Sequence, residues 1–173
     1  MIANINKSEE DVIFKRFHGA TSEEIAFYAH KPLSDTKAEK VIVIAGTNDL
    51  TNAVYQHRGY VNELEITKNI LKIGRAAKDH GAQKIFISGV MVRWGHQYRN
   101  AITRVNNFLQ SRCSDEGFLF MDQGDITTAH ISGDGIHLNY HGTTVLKMNL
   151  LLTFNSFNPY ICTFDEEYDN AII

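Results

Sequence analysis

The chain has 173 residues, of which 43% are hydrophobic and 21% charged, a balance typical of one soluble globular domain. Its longest apolar runs, such as residues 41–45 and 150–152, are far shorter than the roughly 18 residues that a membrane-spanning helix needs. The net charge is −3, and no block of basic residues interrupts the nearly neutral part before residue 149, so we do not expect nucleic-acid binding.

The first residues show no basic start followed by an apolar segment, so we identify no secretory signal and expect a cytoplasmic protein. Cys113 and Cys162 are far apart in the sequence and lack the spacing of a zinc site or a disulfide framework. Reduced thiols are the expected state of both cysteines. The sequence indicates nothing about the oligomeric state.

Four short apolar runs, rich in β-branched or aromatic residues, predict strands. In chain order they are Val12–Phe17, Lys40–Gly46, Lys84–Val90 and Phe118–Asp122. Two of them are almost unbroken runs of Val and Ile, which is typical of buried strands in a parallel sheet covered by helices on both faces.

Amphipathic patterns between these runs predict helices over Ser22–Tyr28, Glu63–His80, Tyr98–Cys113 and about 142–152. Ser22 is the expected N-cap of the first helix, and Pro32 is expected to end it. Because strands alternate with helices, we predict a doubly wound α/β fold, in which chemistry takes place beyond the carboxyl ends of the strands.

Two segments bear polar groups at this expected edge of the sheet. The strand from Lys40 runs into the turn Gly46-Thr47-Asn48-Asp49, where the Asn48 amide is either a hydrogen-bond donor to a ligand or a turn former and helix cap. The turn that includes Gly19 precedes a helix, whose first backbone N–H groups could stabilise an oxyanion.

The third segment is Asp134-Gly135-Ile136-His137, in which a carboxylate stands three residues before an imidazole. A carboxylate at this spacing can accept a hydrogen bond from Nδ1 of the ring and leave Nε2 to take a proton from a hydroxyl nucleophile. The alternative is an ordinary surface Asp-Gly turn beside an unrelated histidine. His141 lies four residues after His137, with Asp134 nearby, as in some metal sites, but no fourth ligand can be named and we expect no metal.

Together, in this order, these three segments resemble the second, third and fifth sequence blocks of the SGNH/GDSL hydrolase family, and the last match continues through Leu138 and Asn139. The resemblance covers residues 12 to about 150. It implies a three-layer α/β/α flavodoxin-like sandwich with a mainly parallel sheet, no cofactor, and a small-molecule ester or acylated compound as substrate. It also implies site roles: oxyanion donors at Gly19 and Asn48, a general base at His137, and Asp134 as its partner.

The sequence departs from the family at the first block, because it contains no Gly-Asp-Ser and hence no match to the nucleophile. Residues 1–11 resemble the helix-and-loop stretch that normally follows that serine. We therefore expect the chain to begin just past the nucleophile and to lack the usual first, central strand. Val12–Phe17 would then miss a neighbour or pair directly with Lys40–Ala45. Ser88 also ends a predicted strand, but the family places no nucleophile there.

Two functions follow as expectations. The first is an SGNH-type ester hydrolase domain over residues 1–156, whose serine belongs to a longer protein and which is inactive as printed. The second is a pseudo-hydrolase that binds a ligand or a protein without turning it over. Residues 157–173 form an acidic, aromatic-containing tail, and Trp94, Tyr98 and Arg93 are either substrate contacts or packing residues.

Overall fold

The structure, a computed structural model, describes residues 2–5, 12–55 and 61–155. It divides into two compact units. The first is drawn from Met1–Val90 and Asn100–Asp122, and the second from Met91–Arg99 and Gln123–Ile173. The predicted tail over 157–173 lies outside the described residues.

The first unit contains a five-stranded sheet of order β2-β1-β3-β4-β5. Its strands are β1 (Ile2–Ile5), β2 (Val12–Lys15), β3 (Lys40–Val43), β4 (Lys84–Ser88) and β5 (Leu119–Met121). The last three are parallel, with Val41 opposite Ile85 and Ile87 opposite Phe120. The mainly parallel sheet predicted from the Val and Ile runs is therefore confirmed.

The position between β2 and β3 corrects two expectations. It is filled by β1, which runs antiparallel to both neighbours, with Ile2 opposite Lys15 on one side and Val43 on the other. The prediction of a helix-and-loop stretch is wrong for Ile2–Ile5, and β2 neither lacks a neighbour nor pairs directly with β3. The physical reason is that two strands facing a gap would leave rows of unpaired backbone groups, which a third strand satisfies on both sides.

Six α-helices occur within the described ranges. They are α1 (Ser22–Tyr28), α2 (His30–Thr36), α3 (Thr47–Tyr55), α4 (Glu63–Asp79), α5 (His96–Glu116) and α6 (Tyr140–Asn155). None of the helices in the described part of the chain is long and apolar enough to span a membrane.

The apolar stripe of α4 packs against β3 and β4, as its period predicts. Ile70 and Ile73 on this stripe are fully buried. The helix is capped at its start by the side chain of Asn62 and ends before Gly81, whose φ of +93° suits a residue without a side chain. The predicted helix over Glu63–His80 is thus confirmed almost to the residue.

Two details of the first helices, the N-cap of α1 and the position of Pro32, differ from expectation. The N-cap of α1 is Thr21 rather than Ser22, because Thr21 and Glu24 form a reciprocal capping box. Pro32 does not end α1 but is the third residue of α2, a position where its missing N–H has no intrahelical partner to lose.

Candidate functional site

The second unit brings Asp134 and His137 into direct contact. Oδ2 of Asp134 lies 2.5 Å from Nδ1 of His137, and both side chains reach solvent, with 47% and 64% of their surfaces exposed. A hydrogen bond at Nδ1 fixes the ring orientation and leaves Nε2 as the nitrogen that can accept a proton. The predicted pairing of these two residues is what the local structure shows.

The carboxylate of Asp134 is held by more than the histidine. Its other oxygen, Oδ1, accepts from the hydroxyl of Ser132 at 2.8 Å and from the backbone N–H groups of Ile136 and His137 at 2.9 Å each. The bond to His137 is the largest cause that lowers the pKa of Asp134 well below its usual range, followed by these three donors. Asp134 is therefore a fixed, ionised acceptor beside the ring.

The loop that carries the pair is closed by its own backbone. Ile131 and Leu138 form an antiparallel bridge, and the N–H of Ser132 donates to the carbonyl of His137 at 2.7 Å. The amide of Asn139 donates to the carbonyl of Ala129 at 2.8 Å, and its side-chain oxygen accepts from the N–H of Gly142 in the first turn of α6. This loop follows a single 3-10 turn, Thr128–His130.

In the first unit, Asn48 lies at the beginning of α3 rather than in an extended turn, because the helix already starts at Thr47. Its Nδ2 donates to the carbonyl of Ala20 at 3.0 Å. Since an amide nitrogen carries two hydrogens, this bond uses one and orients the other. The preceding Gly46 has a φ of +105°, and an added Cβ would lie 2.7 Å from Cγ2 of Val90, so the turn before Asn48 requires glycine.

Gly19 lies in a turn just before α1, with a φ of +68°. Two of the backbone N–H groups at the start of α1 bond to side chains of the protein itself. The N–H of Thr21 donates to the carboxylate of Glu24, and the N–H of Ser22 donates to the carboxylate of Asp49. These two donors are already used within the chain.

Two further residues were considered from the sequence, Ser88 as a nucleophile and His141 as a metal ligand. Ser88 is fully buried at the end of β4, and its hydroxyl donates to the carbonyl of Gly89 at 3.0 Å. His141 lies in the first turn of α6, where its ring packs edge-on against Tyr140. Across the residues that the structure describes, no group of three or more metal-ligating side chains is assembled.

Arg93 and Tyr98 pack on each other, with the guanidinium 4.5 Å from the centre of the ring. Both are almost fully buried, which favours the packing interpretation for this pair. Trp94, in contrast, is 47% exposed and contacts the loop of Asp134.

The sequence reasoning missed the supporting residues. Ser132 stands two residues before Asp134, a spacing at which a hydroxyl readily bonds a nearby carboxylate, so this partner was open to prediction. The sequence indicates only a turn at Asp49, whereas in the structure its carboxylate accepts two hydrogen bonds from Ser22. That contact joins residues 27 positions apart and carries no local signal.

No protein-family model and no curated protein matches the chain. Solved structures do match, among them a GDSL-like lipase from Bacteroides thetaiotaomicron, at 16% identity and a TM-score of 0.63, over 80% of this chain and 73% of the other.

Two more solved structures match the chain to a similar degree. A catalytic mutant of Axe2, an acetylxylan esterase from Geobacillus stearothermophilus, is 15% identical with a TM-score of 0.65, over 77% of this chain and 67% of the other. LAE5, an α/β hydrolase enzyme from the metagenome of Lake Arreo in Spain, is 17% identical with a TM-score of 0.67, over 81% of this chain and 70% of the other. At these identities the likeness concerns the fold. The chain has an α/β fold like that of these GDSL-like lipase and esterase structures, as the sequence resemblance implies.

Proposed function

We propose that this chain belongs to a serine ester hydrolase of the SGNH type, in which His137 is the general base. The observation that carries the proposal is the hydrogen bond between Nδ1 of His137 and a carboxylate that three other donors hold in place. The likeness of the chain's fold to a GDSL-like lipase and to an acetylxylan esterase supports it. The substrate is a small-molecule ester or another acylated compound.

In this proposal each residue acts through its described bonds. Nε2 of His137 takes the proton of a serine hydroxyl as the serine oxygen attacks the ester carbonyl, and the charge that develops on the ring is stabilised by Asp134. The ring then gives the proton to the leaving alcohol. Water hydrolyses the acyl-enzyme by the same steps, with His137 again as the base.

Asn48 and Gly19 have the role of oxyanion donors. The bond from Asn48 to the carbonyl of Ala20 fixes the plane of the amide, so its second hydrogen is oriented before any substrate binds. A preset donor stabilises the tetrahedral oxyanion without reorganisation, and the loss of one such donor typically lowers kcat by about 10²–10³. We expect a loss of that size for Asn48→Ala in the active protein.

The nucleophile in this proposal is a serine outside the printed residues, in a Gly-Asp-Ser block at the end of a further strand. Ser88 does not fit the role, since its side chain is fully buried. A parallel strand added before the chain would compete with β1 for the place between β2 and β3.

The second candidate function is a pseudo-hydrolase that binds a ligand or a protein partner without chemistry. It is favoured by the absence of Gly-Asp-Ser from a sequence that retains the other blocks. The two candidates differ in the genomic sequence before Met1. An in-frame apolar strand followed by Gly-Asp-Ser supports the hydrolase, and its absence supports the pseudo-hydrolase.

The direct test is hydrolysis of p-nitrophenyl acetate by the printed chain and by a version extended with a strand ending in Gly-Asp-Ser. His137→Ala is made in both, and His141→Ala serves as the matched control, since it removes a nearby exposed imidazole that has no assigned role. Folding of each protein is checked by circular dichroism.

We expect turnover in the extended protein only, lost in His137→Ala and retained in His141→Ala. A folded extended protein without turnover would overturn the hydrolase proposal. Turnover by the printed chain that disappears in His137→Ala would instead show that the nucleophile is not a missing serine.

A further inference from the structure

Trp94 makes two hydrogen bonds to the segment that carries the histidine. Its backbone N–H donates to the carbonyl of Gly135 at 2.9 Å, and its indole Nε1–H donates to the carbonyl of Thr128 at 3.1 Å. The two acceptors lie seven residues apart, one in the 3-10 turn and the other between Asp134 and His137. A single residue, through its backbone and its side chain, therefore joins both parts of the segment.

The contact with Gly135 is also one of packing. Gly135 has a φ of +77°, and an ideal Cβ built there would lie 3.1 Å from Cβ of Trp94 and 3.5 Å from two atoms of its ring. A side chain at Gly135 would thus press on Cβ of Trp94, while the indole ring would lie at ordinary van der Waals distance from it. This contact fixes the turn in which Asp134 accepts from Ile136 and His137.

Most other bonds of this loop are internal to it. Ser132, Asp134 and Asn139 bond to neighbours within ten residues, so they set the shape of the loop but do not attach it elsewhere. Trp94 comes from the separate stretch Met91–Arg99, which directly follows β4 and Val90. Trp94 is therefore a residue outside the loop that attaches it to the stretch Met91–Arg99 of the same unit.

We propose that Trp94 is a positioning residue that holds the loop of Asp134 and His137 in the shape their hydrogen bond requires. The indole contributes in two ways, through its N–H bond to Thr128 and through its ring against Gly135. This inference rests on the role proposed above for His137. It concerns the geometry of the pair, however, and can be measured without turnover.

The experiment is proton and nitrogen NMR of the printed chain and of two variants. Trp94→Phe keeps a ring and the backbone bond to Gly135 but removes the indole N–H, and Trp94→Ala removes the ring as well. The signals followed are the downfield proton on Nδ1 of His137 and the exchange rates of the amide protons of Ile136 and His137. Tyr140→Ala is the control, because it removes an exposed aromatic ring of the same unit that packs on His141.

In Trp94→Ala we expect the Nδ1 proton signal to disappear because the proton exchanges with water. We also expect the two amide protons to exchange about tenfold faster or more, a change that corresponds to roughly the free energy of one hydrogen bond. The amide exchange rates of Trp94→Phe are expected to lie between those of Trp94→Ala and the parent, and those of Tyr140→Ala are expected to match the parent. Unchanged signals in Trp94→Ala would overturn the proposal. If that variant does not fold, an unchanged Trp94→Phe with the parent's exchange rates would overturn the part assigned to the indole N–H.

In an active extended protein, Trp94→Ala should lower kcat with little change in KM, because the base is misplaced while the binding surface remains. A rise in KM with kcat unchanged would show that Trp94 contacts substrate instead. If the extended protein has no activity but the NMR result is as expected, the proposed function fails and the positioning role of Trp94 stands.

Discussion

Ser22 donates both its backbone N–H and its hydroxyl to the carboxylate of Asp49, at 2.8 Å and 2.6 Å, across 27 positions of sequence. Ser22 is fully buried, and burial is the main cause that raises the pKa of Asp49 above its usual value, against the lowering effect of these bonds. The contact joins the first turn of α1 to the first turn of α3. It therefore links the two places where Gly19 and Asn48 lie.

Removal of the Ser22 hydroxyl should destabilise the protein. Ser22→Ala leaves Oδ1 of Asp49 without its shorter bond in a half-buried site, and a bond to a charged group is worth about 1.5–3 kcal/mol. Urea denaturation measures the loss of unfolding free energy. Ser111→Ala, which removes an exposed hydroxyl on α5, should change it by less than about 0.5 kcal/mol. Equal effects of the two substitutions would contradict the role given to the Ser22–Asp49 contact.

Asp134 should make stability depend on pH in the acid range. Its pKa is lowered in the folded protein, chiefly by His137, so its contribution is present above the unfolded value of about 3.9 and is lost as the pH falls toward the folded value. Asp134→Asn keeps an oxygen for the three donors to Oδ1 but puts an N–H where the ring of His137 needs an acceptor.

The measurement is Tm between pH 3 and pH 7. We expect the parent to be more stable than Asp134→Asn near neutral pH, and the difference to shrink below about pH 4. Asp35→Asn, at an exposed position of α2, is the control and should show no such convergence. A difference between parent and Asp134→Asn that stays constant with pH would contradict the assignment.

Gly46→Ala should be strongly destabilising, for two separate reasons. The φ of +105° strains any residue with a side chain, and the new Cβ would lie 2.7 Å from Val90. Together we expect about 2–4 kcal/mol, measured by urea denaturation. Gly133→Ala is the matched control, because nothing lies within 4 Å of its added Cβ. Similar losses for both glycines would show that the turn before Asn48 does not require glycine.

The thiol of Cys113 should be unreactive in the folded protein. It is 1% exposed, and burial, with the charge of Glu116 as a second cause, raises its pKa to about 12. At pH 8 the reactive thiolate is then a fraction of about 10⁻⁴. In a Cys162→Ser background, a thiol reagent such as DTNB should label Cys113 only after denaturation. Rapid labelling of the native protein would show that α5 is not packed as described.

Much of the fold follows from local sequence, and the exceptions have physical causes. The buried runs of β3 and β4 and the stripe of α4 were predicted, because their patterns reflect burial directly. The cap at Thr21 was also open to prediction, since Glu24 stands three residues later as a capping box requires. In contrast, β1 has only four residues and is stabilised by its two neighbours rather than by its own composition.

In the candidate site, too, contacts between near residues could be predicted and contacts between distant residues could not. Asp134 and His137 stand three residues apart, a spacing that allows the bond between them, and the family resemblance favoured this interpretation over an ordinary Asp-Gly turn. The contacts of Asp49 with Ser22 and of Trp94 with Gly135 join distant parts of the chain. Such contacts depend on how the elements pack, and no spacing rule indicates them.

Trp94 is the only tryptophan in the chain, and its ring lies against the glycine between Asp134 and His137. The intrinsic tryptophan fluorescence of the protein therefore arises from a single emitter at the loop of the proposed base. Its emission wavelength reports how much water reaches this loop. A compound bound beside His137 can thus be titrated optically on the unmodified protein, with no label and no turnover.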